Sequence, residues 1–275
     1  MGQFDDETTV RLVAGATDDG VRRWSTQVHE HWSIGENPNG GYAMIPLLRA
    51  MGALVDHPDP LSVTAHFLRP AVARTDAGIE ARVLRSGRSS ANASATSTQG
   101  GKERIVISAV FGDLSSDGRA ESRTADWDYA PEMPSGPGPE ECVDRRAMVQ
   151  GIELPILSRL DVRIPPGQLG DSIGGPPIVD GWIRFRDGTP PSVLALVLFA
   201  DAFPPAMIPK LGEVGWVPTM ELTVHLRRRP VDGWIRGRFE CDDLQGGLMI
   251  ETGTLWDASG AVVARSRQLG LLMTG

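Results

Sequence analysis

The stretch "VLALVLFADAFPP", Val193 to Pro205, places one carboxylate, Asp201, in an otherwise apolar run. Burying a charge costs several kcal/mol unless hydrogen bonds or an opposite charge offset it. Partial burial also lifts a carboxyl pKa towards the range where it can take a proton near neutral pH. Asp201 is therefore a candidate general base. Two further polar residues stand in comparable surroundings downstream: Thr219 in "PTMELTVHL" and Gln268 in "RSRQLGLL". Each has an ordinary alternative. An aspartate near a helix end caps a neighbouring segment, threonine is common in strands, and glutamine is common at sheet edges.

The elements that must position these residues can be read from periodicity. On a 3.6-residue period Asp201 shares a face with Leu194, Val197 and Leu198, which predicts a helix over Val193 to Phe203 with Asp201 turned towards whatever that face covers. Met220, Leu222, Val224 and Leu226 alternate with Thr219, Glu221, Thr223 and His225, the pattern of a half-buried strand. Parity assigns Thr219 to the polar face, and Pro218 before it offers a bend that can re-aim it. Gln268 shares a face with Ala264 and Ser266. An amide facing a sheet interior needs hydrogen-bonding partners.

The same unit occurs twice. "LSVTAHFLRP" (Leu61 to Pro70) parallels "MELTVHLRRRP" (Met220 to Pro230), and His66 lies 159 residues before His225. "GGKERIVISAVFG" parallels "SGAVVARSRQLGL", with Gly101 and Gly260 separated by the same 159. In each copy a first strand ("STQVHEHWSI" or "GWIRFRDGTPP") precedes a short apolar helix, Tyr42–Met51 or Val193–Phe203. A strand ending in proline follows, then one beginning near Ile79 or Trp234, a tight turn and a closing strand. One helix followed by antiparallel strands is an α+β unit with the helix lying on a curved sheet. The expected organisation is an N-terminal unit over 1–129, a proline- and glycine-rich linker over 130–177, and a C-terminal unit over 178–275. The offset sets Pro60 opposite Thr219 and Ala109 opposite Gln268, and the first helix, "YAMIPLLRAM", holds no acidic residue. The polar trio belongs to the second copy alone.

Composition narrows the function class. With 275 residues, 41% hydrophobic and 23% charged, the chain is an ordinary globular protein. A net charge of −8 argues against nucleic acid, although Arg227, Arg228 and Arg229 form a local basic strip able to meet an acidic ligand. The two cysteines, Cys142 and Cys241, predict neither a disulfide framework nor a zinc site. No apolar run approaches the ~20 residues of a membrane span, and the polar N-terminus is unlike a signal peptide. A cytoplasmic setting is expected, with no cofactor or metal. His66 and His225 stand alone in their strands and read as packing or interface residues, and the tryptophans read as core and interface mass. No G-x-S-x-G elbow supports a covalent serine route.

These segments resemble the bacterial type II acyl-CoA thioesterases, single chains of two hotdog domains. The likeness is carried by "NPNGGYAM" before the first helix, "HFLRP", "FADAF", "PTMEL" and "SRQLG", and spans most of the chain. It implies a double-hotdog fold, two units forming one continuous antiparallel sheet around two central helices. It also implies hydrolysis of acyl-CoA, with Asp201, Thr219 and Gln268 positioning the hydrolytic water. Residue chemistry agrees: a carboxylate can orient or deprotonate water while a hydroxyl and an amide hold it. Backbone N–H groups at Gly41 and Tyr42, opening the first helix, are expected to bind the thioester oxygen, since a helix start favours negative charge. Association into a homo-oligomer is expected through sheet faces and edges. The alternatives are an enoyl-CoA hydratase or dehydratase, which would want a histidine beside an acid, and a non-catalytic acyl-binding protein.

Overall fold

The structure, a computed structural model, describes residues 2–14, 20–115, 129–147, 151–169 and 173–272. The first half contains α1 (Gln3–Asp6), β1 (Arg11–Ala14), β2 (Arg22–Val28), the small pair β3 (Ser33–Ile34) and β4 (Asn37–Pro38), and α2 (Gly40–Gly52). It continues with β5 (Asp59–Phe67), β6 (Thr75–Ser86), β7 (Ala91–Gln99) and β8 (Lys102–Gly112). The second half contains β9 (Val143–Asp144), β10 (Leu160–Ile164), β11 (Ile178–Phe185), α3 (Val193–Phe199), α4 (Ile208–Leu211), β12 (Thr219–Leu226), β13 (Ile235–Gln245), β14 (Leu248–Trp256) and β15 (Val262–Leu271).

Among the described residues thirteen strands form one antiparallel sheet in the order β1-β2-β6-β7-β8-β5-β12-β15-β14-β13-β11-β10-β9. The order reads nearly the same from either end, because β2, β6, β7, β8 and β5 have their counterparts in β11, β13, β14, β15 and β12. This is the double hotdog, with α2 and α3 packed against each other inside the curved sheet. The two halves join where β5 pairs with β12, Thr64 facing Thr223. The repeat extends to backbone defects. A β-bulge falls between Pro60 and Ser62 where β5 meets β8, and its counterpart falls between Thr219 and Glu221 where β12 meets β15.

The segment from 130 to 177, expected as a linker, carries β9 and β10, and β10 is almost wholly buried. Its prolines flank the strands rather than interrupt them, so the ladder with β11 survives. The Trp182 indole and the Arg236 guanidinium donate to the Pro137 carbonyl, and the Trp256 indole to that of Pro131. Residues 148–150 and 170–172 lie outside the described residues.

Helix α3 is shorter than its apolar pattern predicts, ending at Phe199 instead of Phe203. Pro204 and Pro205 follow closely, and the residue before a proline is pushed out of the helical region. The Asp201 N–H closes a tighter turn onto the Leu198 carbonyl at 3.1 Å. Asp201 therefore lies just beyond the helix. The core between α2, α3 and the sheet is aromatic, Trp32 stacking on Tyr42 with 5.3 Å between centroids and Phe185 bridging Phe4 and Phe199. Among the described residues no helix is long and apolar enough to cross a membrane.

Candidate active site

Asp201 sits where the C-terminal end of α3 meets the N-terminal end of α2. Two glycines make that approach possible. A Cβ on Gly41 would stand 2.9 Å from the Val197 carbonyl oxygen, and one on Gly40 would stand 3.0 Å from Asp201 Oδ2. With no Cβ in the way, the Gly41 N–H donates to Oδ2 at 2.8 Å, and the Gly40 N–H also bonds the carboxylate. The preceding residue is held by its own helix. Asn39 is buried and caps α2, its Oδ1 accepting from the Tyr42 N–H at 2.9 Å. Its Nδ2 donates to Asp201 twice, at 2.7 Å to the backbone carbonyl and 2.9 Å to Oδ2.

Thr219 reaches the same carboxylate through its hydroxyl. Strand parity alone would turn Thr219 outward and Met220 inward, the reverse of what is found. The bulge supplies the extra residue that changes the phase. Met220 is left 45% exposed while Leu222, Val224 and Leu226 stay buried, so the expected four-residue apolar face loses its first member. Burial pushes the Asp201 carboxyl up to about 6, against the lowering effect of Gly41, Gly40, Asn39 and Thr219. Desolvation wins because every compensating group is a neutral donor and none brings a full positive charge.

Gln268 does not touch Asp201 through any of these bonds. Its Nε2 donates at 3.1 Å to Oε1 of Glu251, which lies directly across the ladder in β14. Glu251 is buried, and its Oε2 accepts from the Ala206 N–H at 2.6 Å. Burial and the nearby Asp201 charge push its carboxyl up to about 7, against the pull of the Ala206 bond. Glu251, Asn39 and Gly40 are site residues that sequence reasoning missed. Asn39 carried a signal, an asparagine directly before "GGYAM" being a helix-cap signature.

A cavity of about 260 Å³ brings Asp201, Thr219, Gln268, Glu251, Asn39 and Gly40 to one wall. Its remaining lining is largely apolar, including Ile34, Phe67, Ile105 and Phe203, and the expected linker adds Arg145, Ile152 and Leu154. Gly41 and Tyr42 are placed differently. The Gly41 N–H serves Asp201 and the Tyr42 N–H serves Asn39. The Tyr42 ring is buried, and its hydroxyl accepts from the His29 N–H and donates to the Glu7 carbonyl. No histidine lines the cavity; His66 and His225 are exposed, on the side of the sheet opposite the buried Val63, Ala65 and Val224. Arg229 of the basic strip is bound to Asp59 at 2.9 Å.

Residues 28–112 match the acyl-CoA thioesterase N-terminal domain and residues 130–272 the acyl-CoA thioesterase C-terminal domain. The chain belongs to the acyl-CoA thioesterase family. A putative thioesterase II from Thermobifida fusca is 31% identical with a TM-score of 0.85, covering 100% of this chain and 98% of that one. An uncharacterized protein of Mycobacterium tuberculosis is 29% identical over 281 residues, 91% of each chain. An acyl-CoA thioesterase II from Mycobacterium marinum shares the fold at 20% identity and a TM-score of 0.75, over 99% of this chain and 98% of that one. As a thioesterase, the protein is an enzyme of thioester hydrolysis, which gives the polar wall of the cavity a reaction to be tested against.

Proposed function

We propose that this thioesterase hydrolyses acyl-CoA with a water activated by Asp201 and held by Thr219 and Gln268. The observation carrying this reading is the Asp201 carboxylate itself. It is ringed by neutral donors, lines the cavity, and burial pushes its carboxyl up to about 6, towards the range a general base needs. In the proposed step Asp201 takes one proton from water as the water oxygen attacks the thioester carbonyl carbon. Collapse of the tetrahedral intermediate breaks the C–S bond, and the proton passes to the departing CoA sulfur. Fatty acid and CoA thiol leave, and Asp201 is again ionised.

In this reading Gly41 holds the base rather than the substrate, because its N–H is already committed to Asp201. Tyr42 acts further back, through the Asn39 cap. The apolar lining suits an acyl chain. A hydratase or dehydratase is disfavoured by the absence of histidine from the lining. A cytoplasmic setting and homo-oligomeric association belong to the same proposal, the latter open to light scattering. Release of free thiol from a panel of acyl-CoAs, compared between the wild type and Asp201→Asn, tests the central claim. Equal rates would sink it.

A further inference from the structure

Of the three residues proposed to hold the water, Gln268 has an ambiguous tip. A carboxamide carries a donor at one end and an acceptor at the other, and its neighbours decide which end faces the cavity. The neighbour here is Glu251, facing Gln268 in register across β14 and β15. An ionised carboxylate can only accept, so it draws Gln268 Nε2 towards itself. Gln268 Oε1 is then left buried with no partner among the described residues. Buried acceptors are rarely left unpaired, and a water in the cavity that Gln268 lines would complete this one.

Resting on the hydrolytic reading above, we propose that Glu251 is a positioning residue: its carboxylate locks the Gln268 amide with Oε1 towards the cavity, as an acceptor for the attacking water. Glu251 also ties together the two sides of the site. Its second oxygen holds the Ala206 N–H, in the segment that carries Asp201, while the first holds β15. The first copy shows that the fold does not need this pair. Gln268 faces Leu222 as Ala109 faces Val63, and the residue across from Ala109 in β7 is Ala93. Two buried alanines stand where the second copy has an acid and an amide.

The groups around Glu251 make its charge pH-sensitive. They are Asp201 beyond α3, Cys241 opposite it in β13, Gln268 in β15, and Arg145, which lines the same cavity and donates to the Ala202 carbonyl. When Glu251 is protonated it can donate to Oε1, and the amide is free to turn its NH₂ to the water. Turnover should therefore require two ionised carboxylates.

The test is Glu251→Gln in the full chain. Glutamine can still accept from Ala206 through its carbonyl oxygen, and its NH₂ then donates to Gln268 Oε1, so the fold is kept while the Gln268 amide is turned the other way. The expected result is a kcat lower by roughly ten- to a hundredfold, the scale of misplacement effects, with KM little changed and thermal midpoint retained. The acid limb of log kcat should be steeper than one proton in the wild type and reduced to one proton in the variant. In a Gln268→Ala background the same change should add no further loss. A wild-type rate and profile for Glu251→Gln, a full further loss in the Gln268→Ala background, or a one-proton limb in the wild type would each overturn the inference. Asp201→Asn separates the two levels. Full turnover there overturns both readings, whereas an inactive Asp201→Asn beside a wild-type Glu251→Gln overturns the positioning role alone.

Discussion

The hydroxyls of Thr64 and Thr223, 159 positions apart in the chain, meet at 2.9 Å on the seam where β5 pairs with β12. The pairing around them is reciprocal: His66 faces Glu221, and Ser62 faces His225. A pseudo-twofold axis therefore passes between the two threonines. Replacing either by valine leaves one hydroxyl facing a methyl group and should cost about 0.5–1.5 kcal/mol. Thr223 also donates to Glu221 Oε1 at 2.6 Å, a bond that Thr223→Val and the double change both lose, so the double change should still cost less than the sum of the singles. Urea denaturation measures all three, and additive losses would show that the hydroxyls act independently. Turnover should be unaffected.

Asp201→Asn keeps the shape of the side chain and removes the proposed base. Turnover should fall by roughly 10²–10⁴-fold, the usual contribution of general-base catalysis. Folding should hold or improve at neutral pH, because a desolvated charge disappears. Thiol-release kinetics and thermal melting read the two effects separately.

Both site carboxyls are displaced upward, Asp201 from 3.8 to about 6 and Glu251 from 4.5 to about 7. A carboxyl with a folded pKa above its unfolded value holds its proton more tightly in the native state. Its contribution to stability is complete below the unfolded pKa and is lost as pH rises through the folded one. Stability owed to this pair should thus decline between about pH 4 and 7, while turnover climbs. Melting temperatures of the wild type and the Asp201→Asn/Glu251→Gln double variant, measured across that window, should converge at the acid end and diverge at neutral pH, with the variant higher. Parallel curves would contradict the assigned shifts.

Asn39→Asp retains an N-cap acceptor for Tyr42 but replaces the amide donor at Asp201 Oδ2 with a second carboxylate. Like charges at that separation disfavour ionisation, so the pH profile of turnover should shift alkaline by one unit or more. An unshifted profile would show that Asn39 does not govern the base.

Gly41→Ala drives a methyl group to 2.9 Å from the Val197 carbonyl oxygen and 3.0 Å from the Asp201 Cβ. Helix propensity alone would favour alanine by up to about 1 kcal/mol. The clash should reverse that sign, separating α2 from α3 and lowering both melting temperature and kcat. A stabilised, fully active variant would mean that the two helices can part at no cost.

Much of this was legible in the chain. The shared offset of 159 corresponds to the pseudo-twofold, and Asp201, Thr219 and Gln268 do line one cavity. What escaped depends on register and on chain-distant partners. Glu251 shares its face of β14 with the buried Met249 and Leu255, but nothing near it in the chain reveals that the β15 register sets it across from Gln268. Parity misplaced Thr219 and Met220 because the bulge in β12 adds one residue, which inverts every assignment before it. The offer of Gly41 and Tyr42 N–H groups to substrate overlooked that Asp201 and Asn39, brought in by α3 and by the cap, would claim them first. Strands β9 and β10 were hidden by the prolines around them.

The paired bulges bear on how such a site can arise. The distortion that aims Thr219 is present at the matching point of the first half, where Pro60 occupies it and offers no hydroxyl. The aiming device is therefore a property of the scaffold and not of the chemistry it serves. If the second half carries the proposed reactive centre, a designer seeking another inherits a head start: the backbone of the first half is already bent at the matching point.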